Sequence, residues 1–136
     1  MPVTNAFKIA ELIRHMSYDS SNDVIAITKS TTDLNKVKGD ATYSATTEVA
    51  LDTFAHASFR AARYIVAMSE GSNFHSTEIM IVHDGSAVTL TQYGTLKDTT
   101  LATFDADISG DNVRLLVTPA STNSTVVKFQ GTLIDA

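Results

Sequence analysis

The sequence contains no cysteine and no tryptophan, and only 18% of its 136 residues are charged. Without cysteine, no disulfide framework can hold the fold and no thiolate can act as a nucleophile or a metal ligand. The ten Lys and Arg residues are scattered singly and the net charge is −5, so the chain has no basic stripe for a phosphate backbone. No apolar window approaches the roughly 20 residues that span a bilayer, and the first residues lack the apolar run of a signal peptide. We therefore expect a soluble protein with no nucleic-acid partner and no membrane contact.

Most of the chain alternates apolar and polar residues in short runs. Threonine occurs nineteen times, and threonine suits a pleated, half-exposed surface. Short β-type runs separated by turn residues are typical of an antiparallel β-sandwich. The runs cover residues 46–54, 59–69, 74–83, 86–93, 99–107, 112–118 and 124–134. The pattern predicts a mainly β, jelly-roll-like sandwich of seven to nine strands, with its core in 46–134 and a long loop or weakly paired edge over 29–45.

Two of these runs are joined by Asp84-Gly85. Asp-Gly tolerates the positive φ angles of a two-residue type I′ turn, whose twist matches the flanking strands. Such a turn would place His83 opposite Ser86 and would put four apolar residues on one face. Those residues are Ile79, Ile81, Val88 and Leu90.

The N-terminal part has a different period. Ile9, Leu12, Ile13 and Met16 recur at the spacing of one helical stripe, which predicts a helix over residues 4–17 followed by a turn and a strand over 24–28. We interpret 1–136 as a single β-sandwich domain in which residues 1–28 form a helix–strand lead-in. The apolar stripe of the helix would lie across the open end of the sandwich or meet the same stripe of another subunit.

No arrangement of residues predicts catalysis or metal binding. The four histidines lack the short spacings that preassemble a zinc site. The segment from Asp105 to Gly110 imitates the start of an EF-hand loop, but its twelfth position is Leu116, where calcium would require a bidentate acid. Ser86, His83 and Asp84 are near neighbours on a hairpin and so point to alternating faces, which prevents a catalytic triad. We expect no cofactor, no metal site and no enzymatic activity.

Aromatic residues provide the remaining candidate surface. Tyr43 and Tyr93 would be available to stack on sugar rings if they lay on an exposed sheet face, although core filling is the more common role of a tyrosine in a strand. Carbohydrate or host-surface binding is therefore kept as an alternative function.

Several motifs between Phe59 and Ile134 resemble, in order, a module of phage virion proteins. The matching segments are Phe59-Arg60-Ala61-Ala62-Arg63-Tyr64-Ile65-Val66, Thr77-Glu78-Ile79-Met80-Ile81-Val82-His83-Asp84-Gly85, Thr91-Gln92-Tyr93-Gly94, the run Ala102 to Gly110, Asn112-Val113-Arg114-Leu115-Leu116 and Thr118-Pro119-Ala120. The module is associated with the tail fibre or baseplate of marine contractile-tailed phages, notably cyanophages. The resemblance implies a non-enzymatic structural or assembly module, located in the virion and made in the host cytoplasm, and carries over no catalytic residue.

Fibre and baseplate components are commonly symmetric oligomers, in which closed symmetry buries apolar stripes that a monomer would expose. We therefore expect partners that are other copies of this chain or other virion proteins, with a homotrimer as the first choice. The predicted self-association residues are Ile9, Leu12, Ile13 and Met16.

Overall fold

The computed structural model describes residues 35–136 in full and the backbone of two short strands before them. The chain divides into two compact units, Met1–Leu34 and Asn35–Ala136. In the first unit, β1 (Met16–Asp19) pairs antiparallel with β2 (Val24–Ile27). The prediction of a strand at residues 24–28 is therefore confirmed.

The predicted N-terminal helix is not supported. Ile9, Leu12 and Ile13 lie outside the described residues, and Met16 begins strand β1. The assignment of Met16 and Ser17 to the last turn of a helix was wrong, as was the assignment of Tyr18 and Asp19 to a turn. An apolar stripe at helical spacing does not decide between helix and strand, because pairing with a second segment such as β2 is not visible in a local pattern.

The second unit contains eight antiparallel strands in two sheets, and no helix occurs in residues 35–136. The strands are β3 (Lys36–Tyr43), β4 (Val49–Ala55), β5 (Phe59–Glu70), β6 (Asn73–His83), β7 (Val88–Lys97), β8 (Ala102–Ser109), β9 (Asn112–Pro119) and β10 (Thr125–Asp135). One sheet has five strands in the order β3-β10-β5-β6-β7, and the other has three in the order β4-β9-β8. The part of the chain that the structure describes contains no helix that could cross a membrane.

Both sheets contribute to one hydrophobic core. Strand β5 contributes the buried side chains of Tyr64, Val66 and Met68, and β9 contributes Val113, Leu115 and Val117. Alternate residues of each strand therefore point inward, as in a β-sandwich. Phe104, Ala106 and Ile108, which are alternate residues of β8, also pack against this core.

Two of the strand pairings in this unit are those expected of a jelly roll. β3 pairs with β10 and β4 pairs with β9, which joins strands from opposite ends of the unit. β5, β6 and β7 instead follow one another as a meander, and the jelly-roll part of the prediction is not confirmed. β3 is an edge strand whose eight residues all pair with β10, so within the segment 29–45, predicted as a long loop or weakly paired edge, residues 36–43 form an edge strand.

The β6–β7 hairpin differs from the predicted one by two residues. His83 pairs with Val88 and Ile81 pairs with Leu90, so the connection is the four-residue loop 84–87. The Asp84 carboxylate closes this loop by accepting hydrogen bonds from the backbone amides of Ser86 and Ala87. A shift of two residues keeps every side chain on its predicted face, whereas a shift of one would reverse them all.

Gly94 lies between two of the predicted runs, 86–93 and 99–107, but the structure places it inside β7. Its φ of 60° accompanies a break in the register between Ser76 and Glu78 on β6, so this glycine accommodates a β-bulge. A glycine signals a positive φ angle without indicating whether the strand stops or continues.

Candidate functional site

The outer face of the five-stranded sheet carries a shallow groove where β3, β10 and β5 lie side by side. Gln130 of β10 pairs with Lys38 on one side and with Ile65 on the other. One row further along the strands, Thr132 lies between Lys36 and Arg63. The groove follows directly from this register, because alternate residues of three neighbouring strands share one face.

The groove consists of two overlapping depressions of about 520 and 530 Å³. Lys38, Ile65 and Gln130 line both of them. The first extends to Lys36, Val37, Arg63, Gly131 and Thr132, and the second extends to Gly39, Asp40, Lys128 and Phe129. Ammonium, guanidinium, amide and hydroxyl groups can all donate hydrogen bonds there. This arrangement is suited to binding an anion-bearing polar ligand and provides no nucleophile paired with a base.

An ion pair borders the groove. The Nε atom of Arg63 donates to Oε2 of Glu78 at 3.1 Å, and its NH2 group donates to the same oxygen at 2.5 Å. The Arg63 guanidinium and then the Tyr93 hydroxyl lower the pKa of Glu78 below its usual value. The Glu78 carboxylate therefore stays charged and holds Arg63 at the side of the groove.

Apolar side chains surround this polar centre on the same sheet face. Ile65, Met80 and Val82 are each about half exposed, with values of 45%, 47% and 50%. Ile134 pairs with Ala61, which in turn pairs with Val82, so these three residues form an apolar row across β10, β5 and β6.

The structure separates the two tyrosines predicted as surface aromatics. Tyr43, in β3, is half buried and packs against the core, and burial raises the pKa of its hydroxyl. Tyr93, in β7, is 37% exposed and lies opposite Glu78. The two rings are in the opposite edge strands of the five-stranded sheet and do not form a joint platform. Of the predicted oligomer residues, only Met16 lies in the described part of the chain.

The groups near the Asp84 turn have structural partners. Nε2 of His83 lies 2.7 Å from the Phe59 carbonyl oxygen, and Nδ1 accepts the Gly85 amide hydrogen at 3.1 Å. The Ser86 hydroxyl donates to Asp84 at 2.8 Å. The Ser86 hydroxyl is thus directed to the Asp84 carboxylate and not to the His83 imidazole.

Other polar residues singled out by the sequence also contact the fold itself. Asp107 forms a two-pronged ion pair with Arg114 on the neighbouring strand. His75 is buried, its Nδ1 accepts the Leu101 amide hydrogen at 3.4 Å, and burial followed by the nearby Lys97 lowers its pKa. Among the described residues no group of three or more metal-ligating side chains is found.

Sequence reasoning missed the groove. Lys36 and Lys38 alternate along a segment that was interpreted as a long loop or weakly paired edge, and Lys128 and Arg63 are distant from it in sequence. The alternation of lysines over 36–38 was the one local signal, and it had no meaning until β3 was known to be a strand beside β10.

The sequence matches no protein-family model and no curated protein. Among solved structures, it is similar to the tailspike protein of Acinetobacter phage vB_ApiP_P1, with a TM-score of 0.51 and 16% identity over 80% of this chain and 24% of that chain. At this identity the likeness shows a shared fold.

Two further tailspikes are more distant matches. That of Acinetobacter baumannii phage AM24 has a TM-score of 0.40 and 10% identity, over 79% of this chain and 27% of that one. That of bacteriophage Fri1, a capsular polysaccharide depolymerase, has a TM-score of 0.36 and 11% identity, over 93% of this chain and 23% of that one. The chain spans about a quarter of the length of these tailspikes.

Proposed function

We propose that the chain is a non-enzymatic structural module of a phage tail, associated with a fibre, spike or baseplate. The observation that supports this most directly is the fold, which over 80% of this chain is similar to part of a phage tailspike. The ordered motifs between Phe59 and Ile134, which resemble a virion module of marine contractile-tailed phages, support the same proposal. In this proposal the protein is located in the virion.

The hydrogen bonds of the described residues favour a building block over an enzyme. His83 connects two strand ends, Asp84 closes a hairpin loop, and Glu70 accepts hydrogen bonds from Ser121, Asn123 and Thr125. Groups that could transfer protons thus hold loops in place. A rigid two-sheet body of this kind contributes shape and stacking surface to an assembly.

Immunogold electron microscopy of purified phage particles tests this proposal. Antibodies raised against the chain are expected to label one end of the particle, at the tail. Particles that contain the other tail proteins and show neither label nor peptides of this chain by mass spectrometry would contradict it.

A second candidate function is binding of carbohydrate on the host surface. The groove on the outer face favours it, because hydrogen-bond donors and an exposed apolar side chain meet there in an open depression. This function is compatible with a place in the tail, where a surface-binding module would contact the host.

A further inference from the structure

The groove concentrates positive charge in a unit that is acidic as a whole. Residues 35–136 contain seven Lys and Arg residues and eleven Asp and Glu residues. Four of those seven cations line the two depressions, namely Lys36, Lys38, Arg63 and Lys128. Asp40 is the only acidic residue among the lining residues of these depressions.

The register shows how the cations are arranged. Gln130 is at the centre, with Lys38 beside it on β3 and Ile65 beside it on β5. Lys128 lies two residues before Gln130 on the same strand. Neighbouring strands are about 4.8 Å apart and alternate residues of a strand about 7 Å apart. Lys38 and Lys128 are therefore direct neighbours of Gln130 on this face, and Lys36 and Arg63, which flank Thr132, are its diagonal neighbours.

Protection of the sheet edge explains only half of this cluster. Lysines on an edge strand discourage pairing with another sheet, and Lys36 and Lys38 lie on the edge strand β3. Arg63 and Lys128 lie on β5 and β10, which have partners on both sides. Edge protection therefore does not account for Arg63, which forms the ion pair with Glu78, or for Lys128, which lies opposite Asp40 of β3.

We infer that this groove binds an acidic polysaccharide, with a sugar carboxylate above Gln130 among the four cations. The inference deepens the second candidate function and rests on it. Lysine ammonium groups and the Gln130 amide would bind the carboxylate, and the Thr132 hydroxyl would bind sugar hydroxyl groups. The exposed Ile65 side chain would contact the apolar face of a sugar ring.

The charge pattern favours a sugar acid over a nucleic acid. A DNA duplex carries one charge per roughly 1.7 Å and is bound along a track of cations. Here the cations surround one position that also has the apolar Ile65 and the neutral, polar Gln130 beside it. This arrangement suits a sugar that carries one carboxylate and is otherwise neutral and rich in hydroxyl groups.

Affinity electrophoresis of the full chain in gels containing polygalacturonate tests the inference, with dextran as the neutral polysaccharide. Polygalacturonate is expected to retard the chain and dextran is not, and added salt is expected to weaken the retardation by screening. Lys38→Gln and Lys128→Gln are each expected to weaken binding about three- to fivefold. The matched control is Lys97→Gln, which removes one positive charge outside the groove and is expected to leave the affinity unchanged.

Three results would overturn the inference. These are the absence of retardation by polygalacturonate, an equal loss of affinity in Lys97→Gln, and equal retardation by poly-glutamate or polyphosphate, which would indicate a site for any polyanion. Circular dichroism of each variant would verify folding, and Ile65→Glu provides a second variant that opposes binding by charge repulsion. Tail labelling without polygalacturonate binding would reject the groove assignment and leave the tail proposal standing.

Discussion

At the scale of single residues, Tyr64 connects the two sheets. Its ring is fully buried, and its hydroxyl donates to Oδ2 of Asp52 at 2.8 Å. Asp52 reaches this position because the register of β4 shifts between Ala50 and Asp52, and a bulge redirects the side chains that follow it. Burial and then the Asp52 carboxylate raise the pKa of Tyr64 far above its ordinary value, so the hydroxyl remains a donor.

The space for this ring depends on one glycine. A Cβ atom on Gly131 would lie 2.7 Å from Cδ1 of Tyr64 and 2.8 Å from the Arg63 carbonyl oxygen. Any side chain at position 131 would therefore push against backbone as well as ring. Glycine is needed at position 131 because the Tyr64 ring and the backbone of β5 approach it closely, and not because its φ angle is unusual.

The change Tyr64→Phe tests this connection. It removes the hydroxyl, leaves the half-buried Asp52 carboxylate without that donor, and is expected to lower the free energy of unfolding by about 1–2 kcal/mol. Urea denaturation measures the change. Tyr93→Phe is the matched control on the exposed outer face and is expected to have a smaller effect. Equal losses in both variants would show that the hydrogen bond between the sheets has no special contribution.

At the scale of elements, the loop between β6 and β7 depends on one carboxylate. Hydrogen bonds from the Ala87 and Ser86 amides, and then from the Ser86 hydroxyl, lower the pKa of Asp84 to about 2. Because this pKa is lower in the folded chain than in the unfolded chain, the contribution to stability is present above about pH 4. It is lost as the pH falls towards 2.

Replacement of Asp84 by alanine tests this contribution. The variant is expected to have a lower urea midpoint than the wild type at pH 7 and a smaller further decrease between pH 5 and pH 2. Asp111→Ala removes a fully exposed carboxylate from the turn between β8 and β9 and is the control. If the wild type and Asp84→Ala lost stability in parallel on acidification, the hairpin carboxylate would not be the titrating group.

The loop between β9 and β10 is attached to the end of β5 by Glu70. Its carboxylate accepts hydrogen bonds from the Ser121 hydroxyl at 2.5 Å, the Asn123 amide at 3.0 Å and the Thr125 hydroxyl at 2.9 Å. These donors lower the pKa of Glu70. Two donors from the loop, Ser121 and Asn123, and one from Thr125 at the start of β10 therefore keep the loop against the sheet.

Without this carboxylate the loop is expected to open more often. Glu70→Ala should increase amide hydrogen exchange at residues 121–123 while exchange in the buried strands stays slow. Glu78→Ala removes a carboxylate from the outer face and should leave exchange in this loop unchanged. Unchanged exchange in Glu70→Ala would mean that backbone contacts alone hold the loop.

At the scale of the whole molecule, two sets of apolar residues are candidates for self-association. One is the set predicted from the sequence, Ile9, Leu12, Ile13 and Met16, and the other lies on the exposed sheet face around Met80 and Val82. Both would be covered in a symmetric oligomer, since large exposed apolar patches usually mark interaction sites.

Light scattering of the full chain distinguishes the two surfaces. We expect a trimeric mass, and we expect Ile13→Asp to lower it because a charge within an apolar interface is costly. Met80→Asp is the control on the sheet face and is expected to leave the mass unchanged. A lower mass in Met80→Asp together with an unchanged mass in Ile13→Asp would place the interface on the sheet face. A monomeric wild type would reject the oligomer prediction.

The sequence by itself determined most of the strand segments from residue 46 onward and, away from the bulges, the face to which their side chains point. The period of two in segments such as Phe104-Asp105-Ala106 fixes which residues face inward, and this holds without knowledge of the partners. The same local pattern could not indicate that β3 is a strand, because that segment becomes one through pairing with β10, about ninety residues later in the chain.

Only the tertiary structure decided the pairing of distant strands and, with it, the groove. Lys38, Ile65 and Gln130 become neighbours through two registers that no local sequence signal specifies. The hairpin loop shows the same limit on a small scale, because the Asp84 hydrogen bonds chose a four-residue connection where the Asp-Gly pair predicted two. Alternation is a property of one strand, whereas the pairing register depends on the combined packing and hydrogen bonding of all strands in the two sheets.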